Sequence, residues 1–206
     1  MKSTENAASA DWRDFTKETL PDGTERTYYG TGQIYEEKNY SEGTLRRWHI
    51  NGQLMDEGTG ARDIFHGKMG NYTYFRTWYS DGSMQSEETP DGTSREWYAN
   101  GQLEREKLPD GTEHRWLQDG SPWQERLPDG TSREWYANGQ MMSEWLPDGT
   151  QCSWREDGTV SHRYLPGDVE VFYFDADRPQ LEIHHTDGTS RKWDAAGNLL
   201  RDTTRH

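Results

Sequence analysis

The chain has 206 residues, a formal net charge of −14 and only 30% hydrophobic residues, a balance that would ordinarily indicate disorder. Its ten tryptophans, eleven tyrosines and five phenylalanines bury a large area per residue, so they indicate a folded chain that lacks a thick aliphatic core. Because nucleic-acid phosphates attract clustered lysine and arginine, a chain this acidic is not expected to bind nucleic acid.

Residues 1–20 come before the first repeat and are expected to form an N-terminal cap. They lack the basic start and apolar run of a secretory signal, and no stretch of the chain is apolar enough for a transmembrane segment. Anionic lipids would repel so acidic a chain. We therefore expect a cytoplasmic protein that does not bind membranes.

Residues 21–206 are predicted to be an array of about nine repeats, each roughly 19 residues long. The segment TSREWYANGQ begins at Thr93 and again at Thr131, an interval of two repeats. Tryptophan recurs every 19 residues at positions 78, 97, 116, 135 and 154.

The array is irregular in two places. Trp48 and Trp78 are 30 residues apart, which predicts an insertion near residues 58–71. The repeats over residues 160–206 are diverged, and there the run VEVFYF has no Pro-Asp-Gly before it. Each irregular segment is either a binding element or tolerated drift.

Each repeat is predicted to be a β-hairpin with two turn signals. In one repeat these are Asn100-Gly101 and Pro109-Asp110-Gly111, and Asn-Gly and Asp-Gly favour two-residue type I′ loops, in which both residues have positive φ. The predicted fold is therefore all-β, with tandem antiparallel hairpins forming an extended, twisted, single-layer meander sheet.

The predicted loop also predicts which side chains face each other across the strands. It places Arg95 opposite Glu106, and the same step of 11 residues joins Arg133 to Glu144. We interpret these pairs as an ion-pair ladder that fixes the strand register. The same register predicts the aromatic pairs Trp48–Met55, Trp116–Trp123 and Trp135–Met142 on one face, and Tyr79–Met84, Tyr98–Leu103 and Tyr136–Met141 on the other.

No pattern of catalytic or metal-binding residues emerges from the sequence. The seven histidines show no metal-ligand spacing, and the adjacent His184 and His185 would point to opposite faces of a strand. The single cysteine, Cys152, excludes an internal disulfide. We predict no cofactor, no metal and no catalytic residue, so an enzyme is the least favoured class of function.

A protein partner is the expected ligand. Rows of turn aspartates, among them Asp110 and Asp129, primarily form turns, and their negative field would favour a basic partner. Aromatic side chains on the sheet faces are the other candidate contacts, because tryptophan and tyrosine are frequent at interface hot spots. These candidates are Trp97, Trp116, Trp123 and Trp135, or, on the opposite face, Tyr79, Tyr98 and Tyr136.

The unit GTSREWYANGQLEREKLPDG, residues 92–111, resembles the MORN-variant repeat, and the resemblance covers residues 21–160 well and continues more weakly to residue 202. Tandem arrays of this variant resemble the YwqK-like antitoxin family, which implies an immunity protein that binds and neutralises a cognate bacterial toxin. Other MORN arrays imply the alternative, a non-inhibitory scaffold or assembly module. Residues 187–200 are also similar to the YD repeats of Rhs toxin shells, which are much longer chains. The oligomeric state is not predicted.

Overall fold

The computed structural model describes residues 11–60, 72–167, 169–173, 181–185, 187–194 and 196–203. All of their regular elements are β-strands, and no described segment is a helix that could cross a membrane. The described strands are β1 (Thr16–Thr19), β2 (Glu25–Tyr28), β3 (Ile34–Asn39), β4 (Thr44–Trp48), β5 (Leu54–Gly60), β6 (Tyr72–Trp78), β7 (Met84–Glu88), β8 (Ser94–Trp97), β9 (Leu103–Lys107), β10 (Glu113–Trp116), β11 (Pro122–Arg126), β12 (Ser132–Trp135), β13 (Met141–Trp145), β14 (Gln151–Trp154), β15 (Val160–Leu165), β16 (Val169–Tyr173), β17 (Leu181–His185), β18 (Ser190–Trp193) and β19 (Leu199–Asp202).

The chain divides into two compact units, residues 1–102 and 103–206. In the first unit β1 to β8 pair in chain order, each strand antiparallel to the next. In the second unit β9 to β19 pair in the same way. The predicted all-β meander of antiparallel hairpins is therefore confirmed.

The Asn-Gly and Pro-Asp-Gly turns of the regular repeats share one geometry, which differs from the predicted type I′ loop. The amide of Tyr136 donates to the carbonyl of Gln140 at 2.9 Å, and the amide of Gly139 donates back to the carbonyl of Tyr136 at 2.9 Å. This pattern is a type I turn followed by a glycine in the left-handed region, and Gly139 has a φ of 83°. The Pro-Asp-Gly turn before Thr131 closes in the same way.

The three-residue loop also corrects the predicted aromatic pairs. Arg133 lies opposite Glu144 as predicted, but Trp135 lies opposite Met141, because a one-residue bulge precedes it in the register. The observed loop is one residue longer than the predicted loop, which shifts the partners of the residues between the loop and the bulge by one position. Beyond the bulge, the extra residue in the partner strand restores the predicted register. The ladder pairs are therefore as predicted, and the aromatic pairs are not. The observed pairs are Tyr28–Ile34, Trp48–Leu54, Trp78–Met84, Trp116–Pro122, Trp135–Met141, Trp154–Val160 and Trp193–Leu199.

Few side chains are fully buried, as expected for a single layer of strands. Among the described residues the buried hydrophobic side chains are Tyr29, Leu45 and Val171, with 6%, 7% and 5% exposure. Asp56 is also buried, and its carboxylate accepts a 2.9 Å hydrogen bond from Arg47. Most aromatic side chains stay half-buried, so both faces of the strands expose part of their rings.

The described part of the predicted N-terminal cap covers the first hairpin turn. The ring of Phe15 lies 5.6 Å from that of Tyr29, and the amide of Gly30 donates to the carbonyl of Trp12. A Cβ on Gly30 would overlap the backbone oxygen of Asp11, so glycine is required there by the close approach of the two segments.

Most of the predicted insertion at residues 58–71 lies outside the described residues. Residues 58–60 continue β5, and there Gly58 lies opposite Phe75 of β6. In the diverged C-terminal region, β15 and β16 form a short hairpin in which Leu165 lies opposite Val169.

Candidate functional site

An alternating row of charges crosses the strands of the first unit. Each glutamate of the row lies between two arginines that belong to different strands. The predicted pair within a hairpin is closer than the contact between hairpins in each case, as in Glu37 with Arg26 at 2.7 Å and with Arg46 at 3.9 Å. The remaining contacts of the row are Arg46–Glu57 at 3.4 Å, Glu57–Arg76 at 3.8 Å, Arg76–Glu87 at 2.8 Å and Glu87–Arg95 at 3.7 Å.

A second row of the same kind crosses β9 to β13. His114 takes the place of an arginine and lies 3.9 Å from Glu106 and 3.3 Å from Glu125. Arg133 follows, at 2.8 Å from Glu125 and 2.9 Å from Glu144, and its hydrogen bonds to these two carboxylates raise its pKa. We call each row the ladder of its unit, and the face that carries it the ladder face.

The ladder is a structural feature. The sequence predicted the pairs within hairpins, and the structure adds the contacts between hairpins, which join successive pairs into one row. Each carboxylate of the first unit's ladder lies between two arginines, whereas the second unit's ladder sets Glu106, Glu125 and Glu144 against His114 and Arg133. The second ladder ends where Cys152 lies opposite both Glu144 and Arg163, so the cation and the anion are lost together, as predicted.

Half-exposed tryptophans lie beside the ladder on the same face. Trp116 and Trp135 follow the ladder residues of their strands by two positions, and alternate residues of a strand share a face. Their cross-strand partners are Pro122 and Met141. In the second unit the ladder face therefore carries a stripe of aromatic–aliphatic pairs, and Trp97 occupies the corresponding position on the last strand of the first unit.

Two of the tyrosines predicted as partner contacts connect successive hairpins through their hydroxyls. The hydroxyl of Tyr79 donates to the backbone carbonyl of Trp97 at 2.8 Å, and that of Tyr136 donates to the carbonyl of Trp154 at 2.9 Å. The first hairpin has the same bond, since Tyr29 donates to the carbonyl of Trp48. We call this side chain the strap.

The strap position accepts other side chains that can make the same bond. His49 contacts the carbonyl of Trp78 through Nε2, and Arg155 donates to the carbonyl of Tyr173. Tyr98 occupies the strap position of its own repeat and is half-buried. The sequence signal is a side chain able to donate a hydrogen bond directly after the repeat aromatic in most repeats, with Leu117 after Trp116 as an exception, and the interpretation of the tyrosines as contact residues did not use it.

Trp123 differs from the other candidate tryptophans. It is the extra residue of its bulge, it is 40% exposed, and the Arg115 guanidinium carbon lies 5.9 Å from its ring centroid. Trp123 therefore lies beside Arg115 and is not a member of the cross-strand aromatic pairs that Trp116 and Trp135 form.

The turn aspartates are exposed and make local hydrogen bonds. The carboxylates of Asp110 and Asp129 each accept a 2.8 Å bond from the amide two residues later, donated by Thr112 and Thr131. These bonds lower the pKa of both aspartates, so both stay ionised at neutral pH. The geometry supports the turn-forming role and keeps a negative charge at the turn.

No group of three histidine, cysteine, aspartate or glutamate side chains in the described part of the chain is arranged to bind a metal ion. His184 lies next to His185 in β17, and its Nε2 is 3.1 Å from Glu182. His66 and His206 lie outside the described residues.

The family model of the MORN repeat variant matches residues 21–42, 90–108 and 128–146. These three segments each contain a hairpin or part of one, so the chain carries MORN-variant repeats, and the MORN part of the resemblance is confirmed. Repeats of this type are typical of scaffolds and interaction modules. No sequence among curated proteins matches the chain.

Several solved structures resemble the chain at low identity. The TCP10 domain of Danio rerio CPAP in complex with a peptide of Danio rerio STIL is 20% identical, with a TM-score of 0.44 over 93% of this chain and 100% of that one. The same domain alone gives 19% and 0.38, over 92% and 100%. The TCP10c domain of Drosophila melanogaster Sas-4 gives 14% and 0.29, over 93% and 99%.

Proposed function

We propose that this protein is a cytoplasmic immunity protein that neutralises a cognate bacterial toxin by surface contact and has no catalytic activity of its own. The observation that carries the proposal is the tryptophan stripe of the ladder face. Trp116 and Trp135 are only half-buried in a sheet with few buried side chains, so their exposed ring area is available to a partner.

The ladder face is the better of the two faces for this contact. Arg133 pairs with two carboxylates of the second unit's ladder, Glu125 and Glu144, so a partner does not have to supply a counter-charge for these two. Two of the tyrosines proposed as contacts, Tyr79 and Tyr136, already use their hydroxyls as straps. The contact on this face is therefore expected to depend on the tryptophan stripe more than on the ladder.

The exposed turns favour a basic partner. Asp110 and Asp129 keep their charges at neutral pH, and the chain as a whole carries a net charge of −14. Such a field speeds the encounter with a basic protein more than it strengthens the final complex.

A non-inhibitory scaffold is the second candidate, and the MORN-variant matches favour it equally. The two candidates differ in what binding does to the partner. An immunity protein abolishes the toxicity of its partner, whereas a scaffold binds its partner without inhibiting it.

Co-expression with the product of a neighbouring gene in the source genome tests the proposal. The neighbour is expressed in a bacterial host with and without this chain, and growth is measured together with purification of any complex. Rescue of growth with a tight heterodimer supports the immunity protein. A complex without rescue assigns the scaffold, and absence of both rescue and complex with each neighbour contradicts the proposal.

Substitutions in the tryptophan stripe then locate the contact. Trp116→Ser with Trp135→Ser should abolish rescue, while Asp110→Asn with Asp129→Asn should slow association and leave rescue intact, because asparagine preserves the turn hydrogen bond. Thermal unfolding of both variants separates lost binding from lost folding.

A further inference from the structure

Four basic side chains surround one carboxylate on the face of β9, β10 and β11 opposite the ladder. Glu113 lies directly opposite Lys107 on one neighbouring strand and Arg126 on the other, and Arg115 lies directly opposite Arg105. Directly paired residues share a face, and so do alternate residues of a strand. All five side chains therefore belong to one surface, which we call the basic cluster.

The single carboxylate of the basic cluster is shared by two guanidinium groups. Arg105 donates to both oxygens of Glu113, at 3.1 and 3.2 Å, and Arg115 donates to one of them at 2.7 Å. Although burial alone would raise the pKa of Glu113, these hydrogen bonds lower it, so the carboxylate is ionised at neutral pH. Glu113 is thus already engaged with two of the four cations.

The composition of the basic cluster contrasts with that of the ladder. The ladder alternates acids with bases, whereas the five paired residues of the basic cluster are four bases and one acid. The next carboxylate along this face, Glu134, accepts hydrogen bonds from Gln124 and Ser143. Like charges directly opposite each other, such as Arg105 and Arg115, destabilise a sheet. Strand pairing alone gives no reason to collect cations here, least of all in a chain with a net charge of −14.

An exposed aromatic side chain adjoins the basic cluster. Trp123 is 40% exposed beside Arg115, and Lys107 and Arg126 are both exposed. Tryptophan and arginine are the side chains most enriched at the centres of protein interfaces. The surface therefore offers an apolar anchor together with cations accessible from solvent.

We infer that the basic cluster and Trp123 bind an acidic segment of a partner protein. Carboxylates of that segment pair with Lys107 and Arg126, and an apolar side chain of the segment packs on Trp123. We infer an acidic partner segment from charge complementarity, because the basic cluster is a group of positive charges within a protein whose net charge is −14. The inference does not require that the partner be a toxin.

Binding of fluorescein-labelled oligoglutamate to the full chain, measured by fluorescence anisotropy at low ionic strength, tests this inference. Lys107→Glu with Arg126→Glu should weaken binding about tenfold or more, and Trp123→Ala should weaken it without changing the charge. The matched control, Arg13→Glu with Lys17→Glu, makes the same change in net charge at exposed positions of the first unit and should leave binding within about twofold.

Three outcomes would overturn the inference. They are the absence of oligoglutamate binding to the unaltered chain, equal losses in the two charge-reversed variants, and tighter binding of a single-stranded oligothymidylate, which would assign the surface to nucleic acid. Thermal unfolding of each variant confirms that the strands are retained, and Trp123→Ala keeps the test open if a charge-reversed variant fails to fold.

Discussion

The hydroxyl of Tyr136 donates a 2.9 Å hydrogen bond to the backbone carbonyl of Trp154, which is 18 residues further along the chain. The bond joins the end of β12 to the end of β14, past the intervening strand β13. It therefore connects two strands, β12 and β14, that each pair with β13 and not with each other, so the strap gives the array a contact beyond nearest-neighbour strands.

Removal of this hydroxyl should destabilise the second unit. We expect Tyr136→Phe to lower the free energy of unfolding by about 1 kcal/mol, because a half-buried hydrogen bond is lost while the ring is kept. Chemical denaturation measures the change. Tyr173→Phe is the control, since among the described residues the Tyr173 hydroxyl makes no hydrogen bond, and equal losses in the two variants would contradict the strap. Partner binding should be unaffected by Tyr136→Phe.

The ladder should show a measurable coupling between its members. In a double-mutant cycle of Arg133→Met and Glu144→Met we expect a coupling of about 0.5 kcal/mol, since both side chains are partly exposed and solvent weakens the pair. High salt should reduce the coupling. A control cycle of Arg133 with Glu182, which lies on β17, should give none. A coupling that is absent at low salt would mean that the ladder has no energetic role.

Substitution of Gly30 should release the N-terminal segment. In Gly30→Ala the new methyl group overlaps the backbone of Asp11, so residues 11–15 must move away from Tyr29. We expect faster amide hydrogen exchange in β1 and easier proteolysis near Trp12. Gly32→Ala is the comparison, because it has a positive φ of 86° but open space around it, and it should strain the turn without releasing the segment.

The turn aspartates predict a loss of stability in acid. Hydrogen bonds from serine and threonine lower the pKa of these carboxyls in the folded state, so they stabilise the fold above their unfolded pKa of about 3.9, and this stability is lost as the pH falls through the folded value. The melting temperature should therefore fall between about pH 5 and pH 2. The aspartates whose pKa is lowered in this way include Asp81, Asp91, Asp110, Asp119, Asp129, Asp148, Asp157 and Asp187.

Two variants separate the contributions to this acid transition. Asp110→Ala with Asp129→Ala should flatten the fall in melting temperature. Asp56 acts in the opposite sense, because burial raises its pKa despite the hydrogen bond from Arg47, so Asp56→Asn should leave the acid transition in place. A melting temperature independent of pH in this range would contradict the assignment.

The fold and the ladder were predictable because the repeats are regular and the turn residues are specific. Arg133 and Glu144 were placed opposite each other from spacing alone. The turn type was predicted wrongly, since Asn-Gly and Asp-Gly suit both a type I′ loop and the last two positions of a three-residue loop. Counting residues cannot reveal a bulge, and this is why the pair Trp135–Met142 was predicted in place of Trp135–Met141.

The candidate site was less predictable than the fold. The strap role of Tyr136 depends on the direction of its side chain at the end of β12. The basic cluster depends on the pairing of β9 with β10, which belong to successive hairpins, as well as on the pairing of β10 with β11 within one hairpin. Lys107 and Arg126 occupy the same position of successive repeats, but Glu88 and Trp145 hold that position in the flanking repeats, and Ser94 and Ser132 stand at the position of Glu113, so no signal recurs along the whole array. Such departures from the repeat become visible only when the strands are placed side by side.

The shared geometry of the two turns affects how such a chain can change in evolution. Since the hairpins of the regular repeats begin and end in the same way, removal of the stretch from one TSREWYANGQ segment to the next would rejoin matching ends and bring Arg133 to the place of Arg95. Nearly identical coding segments recombine readily. Selection can thus change the number of hairpins by whole repeats. The length of the surface offered to a partner changes with it.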